Sequence, residues 1–169
     1  MVRTSIVIDR PIEQVWAYFD DHSHELEWRS PSLKRLDKVT PGPVGVGTRY
    51  EGVIGFGGRE YPYANELTRY EPPSRVSWKA ISSEGWVIGA AGSYIFERDG
   101  NRTRLTHEID MQPNKFGSKI VMPLMGAVGS RGVMPLLKKL KEAVERQPFA
   151  PRNRCHPGPT YLTSPGDGE

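Results

Sequence analysis

The sequence predicts an α+β fold with an antiparallel sheet of about seven strands, two short helices after the first strand, and a long C-terminal helix. Three observations predict it. Residues 8–31 pass from a strand into an aromatic-faced helix, β-rich runs between 33 and 111 alternate with turn signals, and from Lys115 the apolar spacing returns to threes and fours.

The first strand is the alternating stretch from Met1 to Asp9. Pro11 then opens a helix where a missing N–H costs nothing, and Ile12, Val15, Trp16 and Phe19 fall at i, i+3, i+4, i+7. One aromatic-rich face therefore looks inward. His22 to Trp28 adds a short helical piece that Pro31 stops. The runs Leu33–Val39, Gly47–Ile54, Arg59–Tyr70, Arg75–Ile81, Gly85–Glu97 and Thr103–Met111 carry β-branched or aromatic residues. Pro41-Gly42-Pro43, Gly57-Gly58, Glu71-Pro72-Pro73 and Asp99-Gly100-Asn101 separate them, so the connections are mostly hairpins and the sheet is antiparallel.

In the last helix Phe116, Ile120, Leu124, Val128, Leu136, Leu137, Leu140 and Val144 keep the helical period. Pro135 removes an N–H, and Gly126, Gly129 and Gly132 each lower helix propensity by up to about 1 kcal/mol, so a kink or break is expected between about 123 and 135. From Pro148 onward eight of 22 residues are Pro or Gly. The expected division is a folded domain over 1–147 and a disordered tail over 148–169.

With 169 residues, 37% hydrophobic and 25% charged, the chain has room for one sizeable core. The formal charge of +3 is spread among acidic residues rather than gathered in a stripe, so nucleic-acid binding is not suggested. Lys138, Lys139 and Lys141 read as a solvated face that complements the helix dipole. Cys155 is the single cysteine, which excludes an intrachain disulfide and fits a reduced cytoplasm. The N-terminus lacks the apolar core of a signal peptide, and the apolar run 120–129 is too short to span a bilayer. A soluble cytoplasmic protein, monomer or homodimer, is expected.

The opening stretch, with Gly45-Val46-Gly47-Thr48-Arg49-Tyr50, Glu71-Pro72-Pro73-Ser74-Arg75-Val76-Ser77-Trp78 and Asp99-Gly100-Asn101-Arg102-Thr103-Arg104-Leu105, resembles the START-like superfamily. These are the helix-grip proteins also called SRPBCC, or polyketide cyclase/dehydrase and lipid-transport proteins. The resemblance covers residues 1 to about 147. It implies a curved sheet wrapped around the C-terminal helix, a cavity between them for a hydrophobic small molecule, and no cofactor.

Strand parity assigns faces independently. If the loop around Asp99-Gly100 has an even number of residues, Tyr94 and Phe96 share a face with Leu105 and His107, and that face is the apolar one, so His107 turns inward. The candidate ligand-binding set is Trp28, Tyr50, Trp78, Trp86, Ala90, Gly92, Tyr94, Phe96, Met122 and Met125. Small residues at Ala90 and Gly92 leave room at the centre of the concave face, or Gly92 merely permits a bend. Met122, Met125 and Met134, beside the helix glycines, form either a gate or plain core.

Chemistry is narrowed by elimination. His22, His24 and Glu25 lie close together, but no second cluster completes a metal site, and an exposed polar turn is expected. No nucleophile motif or phosphate loop occurs. A desolvated His107 suits neutral acid–base work, with Arg29, Tyr63 and Glu66 as candidates to complete a catalytic set. Two functions stand open: a carrier of a lipid, isoprenoid or polyketide-like molecule, and a cyclase or dehydratase acting on one. The carrier is preferred, because the apolar enclosure is better supported than any catalytic set.

Overall fold

In the computed structural model, residues 1–83, 90–110 and 133–148 are described. Alternation makes the first strand, β1 (Val2–Ile8), and Pro11 ends it and caps α1 (Ile12–Asp20). Its carbonyl accepts from the N–H groups of Gln14 and Val15 at 3.0 and 3.1 Å. Ile12, Val15 and Trp16 are buried as the spacing predicts. Tyr18 is buried too, off the main stripe, where its hydroxyl donates to Glu27 at 2.8 Å and its ring stacks on His24. Asp21 caps a 3₁₀ turn, His22–His24, by accepting from the Ser23 N–H, and α2 (Glu25–Arg29) follows.

Six strands come next: β2 (Leu33–Lys38), β3 (Arg49–Phe56), β4 (Arg59–Glu71), β5 (Arg75–Ser83), β6 (Ala91–Asp99) and β7 (Arg102–Asp110). They form one curled antiparallel sheet in the order β1-β7-β6-β5-β4-β3-β2. Gly57 and Gly58, both at positive φ, make the two-residue turn between β3 and β4. The predicted strand at Gly47 starts two residues later. Gly47 has φ +86° and lies in a turn closed by Thr48 N–H to Gly45 C=O.

The chain is helical again over 133–146, called α3 here, with Pro135 within that span. The expected kink region lies largely outside the described residues. So do residues 85–89 of the expected sixth strand and all of the tail beyond 148. Leu137, Leu140, Ala143 and Val144 of α3 are buried with Ile8, Val15, Phe96 and Leu105, so the helix is gripped between α1 and the inner face of the sheet. Burying side chains of this size contributes about 1.5–3 kcal/mol each.

The basic residues of α3 do more than cover a solvated face. Lys141 donates to the Val7 carbonyl at 2.9 Å and Lys139 to the Ser30 carbonyl at 2.6 Å. Glu145 accepts from the Asp9 N–H at 2.7 Å, so the helix is tied to both ends of the α1–α2 segment. Among the described residues, no helix is long and apolar enough to cross a membrane.

Candidate ligand site

The inner face is set by register. Tyr94 stands opposite His107 and Phe96 opposite Leu105, because Gly100 and Asn101 alone connect β6 to β7. Phe19 of α1 packs on Tyr94 and Phe96 with ring centroids 4.8 and 5.0 Å away, and Trp16 meets Phe96 edge-on at 5.2 Å. The result is an aromatic floor under α1.

His107 is 4% exposed, and neither ring nitrogen has a hydrogen-bond partner among the described residues. Burial, helped by the positive charge of Arg29, lowers its pKa to about 4. The imidazole is therefore neutral near pH 7, with one N–H to give and one lone pair to receive. Thr4 stands directly opposite His107 on β1, shares its face, and has a buried Oγ1 without a partner among the described residues.

Arg29 ends α2, one turn after Glu25, and the i,i+4 spacing brings its Nη1 to 2.5 Å from the Glu25 carboxylate. Both side chains are about four-fifths buried. Burial opposes the Arg29 charge, but Glu25, with Tyr63 and Tyr94, more than offsets it and holds the guanidinium firmly protonated. Tyr63 of β4 has a buried hydroxyl that lies near Arg29 but makes no well-formed hydrogen bond among the described residues, and burial raises its pKa against the pull of Arg29. Its ring lies across Gly52 of β3, where a Cβ would come within 2.6 Å of it. Tyr94 is raised by burial in the same way.

Glu66 does not join this set. It is three positions from Tyr63 on β4, on the opposite face, where Arg49 holds it at 2.9 Å and Lys79 at 3.1 Å. Those two partners lower its pKa.

The remaining candidates divide three ways. Trp28 is buried and meets Tyr94 edge-on at 6.5 Å. Trp78 fills the room expected at Gly92, since a Cβ there would lie 2.8 Å from its indole, so the strand's small residue makes way for a neighbour rather than for open space. Ala90 is half-buried and its carbonyl accepts from Ala80 N–H. Trp86, Met122 and Met125 lie outside the described residues.

The turn expected to be exposed and polar is instead engaged. His22 pairs through Nε2 with the Tyr50 hydroxyl and sits edge-on to that ring, while its buried Nδ1 has no partner among the described residues. Burial lowers the pKa of His22 and raises that of Tyr50. Next to it Tyr70 donates to Asp20 at 2.9 Å, and its pKa is pushed up to about 12, mostly by burial. Outside the barrel, Glu27, Trp28, Ser30, Pro31, Lys139, Glu142 and Arg146 line a charged cleft of about 410 Å³.

Sequence reasoning passed over Thr4, and over Glu25 as the partner of Arg29. Signals for both were present: Thr4 alternates with Ile6 and Ile8, and Glu25–Arg29 has ion-pair spacing. Chemically, the assembled groups can donate to and accept from a neutral oxygen on an aromatic-walled face.

A family model described as polyketide cyclase/dehydrase and lipid transport matches residues 1–145. No curated protein matches the chain. Among solved structures, a protein from Thermus thermophilus is 21% identical with a TM-score of 0.67, over 85% of this chain and 96% of that one. The Zhui aromatase/cyclase from Streptomyces sp. R1128 is 15% identical with a TM-score of 0.67, over 86% and 93%. A START superfamily protein from Mycobacterium smegmatis is 10% identical with a TM-score of 0.66, over 85% and 96%. At these identities the likeness is one of fold.

Proposed function

Since the chain belongs to the polyketide cyclase/dehydrase and lipid transport family, we propose that it binds a hydrophobic small molecule of lipid, isoprenoid or polyketide type between the inner sheet face and the C-terminal helix. The observation that carries this reading is His107, buried on an aromatic face with both nitrogens unpartnered among the described residues. A buried donor and acceptor left unmade costs about 1–3 kcal/mol, and a ligand that meets them recovers it. Trp28, Tyr50, Trp78, Tyr94 and Phe96 would supply apolar wall, with Trp86, Ala90, Met122 and Met125 proposed alongside them. A cytoplasmic protein of one domain, residues 1–147, goes with this reading.

Native mass spectrometry of the purified chain tests it. The expected result is a bound species of lipid-like mass that is lost on denaturation. A ligand-free chain that also fails to bind a naphthalene sulfonate dye overturns it.

A second reading has its own support. A neutral imidazole, the Tyr63 phenol and the fixed Arg29 cation are groups able to move a proton and orient a keto or enol oxygen. On that reading the protein is a cofactor-independent cyclase or dehydratase with His107 as base or acid.

A further inference from the structure

Thr4 and His107 are directly opposed across the β1–β7 ladder, and directly opposed residues share a face with Cβ atoms about 4.5–5.5 Å apart. They are 8% and 4% exposed, and neither side chain has a hydrogen-bond partner among the described residues. Two such groups side by side are rare in a folded interior, where buried polar atoms are nearly always paired. The neighbouring rungs of the same ladder are satisfied or apolar. Ser5 and Thr106, on the other face, bond to each other at 2.9 Å, and Ile6 faces Leu105. The deficit is confined to one rung.

We propose that Thr4 and His107 form a two-point subsite for a single neutral oxygen of the ligand, a hydroxyl in preference to a carboxylate. The inference rests on the pocket reading above and adds the chemistry of the ligand's polar end. A hydroxyl can donate to one partner and accept from the other, which answers a threonine hydroxyl and a neutral imidazole together. A carboxylate only accepts, and it would surrender its hydration without a free cation in return. Among the described residues, the buried cation Arg29 already holds Glu25 at 2.5 Å, so that pair is charge-balanced before the ligand arrives.

The test uses three probes of nearly equal size, 2-naphthol, 2-naphthoate and 2-methylnaphthalene, titrated into the full chain at neutral pH with tryptophan fluorescence as the readout. The expected result is that 2-naphthol binds about tenfold more tightly than either of the others. In Thr4→Val, which keeps shape, and in His107→Phe, which keeps bulk, the advantage of 2-naphthol over 2-methylnaphthalene falls to about threefold or less. Each variant is its own control, because the two probes are compared on the same protein. If all three probes bind alike, if 2-naphthoate binds tightest, or if the folded Thr4→Val variant keeps the full preference, the subsite is overturned while the pocket stands. If none of the three binds, the pocket reading fails and the subsite falls with it.

Discussion

The imidazole of His107 lies flat against the ring of Tyr94, with centroids 4.2 Å apart and planes 6° from parallel. The stack seals one face of the imidazole from water, and protonation there is disfavoured.

The first prediction follows from that. The folded-state pKa of His107 is about 4 against an ordinary 6.5, so between those values the unfolded chain binds more protons than the folded one. Stability is full above about pH 6.5 and falls as pH drops toward 4, by about 3 kcal/mol from this residue. His22, lowered in the same direction by its burial, adds to the loss. Urea unfolding across this range should show the slope in the native protein and a shallower one in His107→Phe. Equal slopes would remove His107 from the acid response.

The same substitution separates carrier from enzyme. In a carrier, His107→Phe keeps affinity for the natural ligand within about tenfold, because one polar contact is lost. In an enzyme, turnover falls by about 100-fold or more while binding persists. Full turnover in the variant would exclude His107 from the chemistry.

At Gly52 a methyl group would meet Tyr63 at 2.6 Å on its ring and 2.7 Å at its hydroxyl, while at Gly45 it would meet nothing within 4 Å. Gly52→Ala should therefore destabilise the fold by about 1–3 kcal/mol and weaken probe binding, as Tyr63 swings away. Gly45→Ala should change stability by no more than about 0.5 kcal/mol. Chemical unfolding of both variants checks the contrast, and equal effects would mean Tyr63 is free to move.

Glu25→Gln leaves Arg29 without its acidic partner. An anionic ligand should then gain, with 2-naphthoate binding about tenfold more tightly than to the native protein and 2-naphthol little changed. The fluorescence titration reads both. No gain for the anion would show that Arg29 does not face the ligand.

Eight of the 22 residues over 148–169 are Pro or Gly, a composition expected to bury little apolar surface. A chain ending at Gln147 should melt within about 4 °C of the full one. A larger drop in a thermal scan would make the segment a docked element.

Local patterns carried most of the fold. The Gly100-Asn101 turn is short enough that parity alone puts His107 beside Tyr94, and the α1 stripe follows from helical spacing. What local patterns do not carry is the neighbour across the sheet. Trp78 and Gly92 lie on neighbouring strands whose register no short turn sets, so the filling of the glycine's space by an indole has no signature in either strand. Glu66 is different. Its odd offset from Tyr63 already assigns it to the other face, and grouping residues by polarity hides that. The engagement of His22 by Tyr50 depends on where α1 and the turn after it settle on β3, which only packing decides.

The ladder between β1 and β7 joins residues about a hundred positions apart, as the Ser5–Thr106 bond shows. Closing so long a loop is entropically costly and belongs late in folding. The rung that holds Thr4 and His107 thus exists only once that closure is made. A molecule seated on it would act as a clasp, slowing the release of β1 and protecting its amides from hydrogen exchange more than those of the hairpin between β3 and β4.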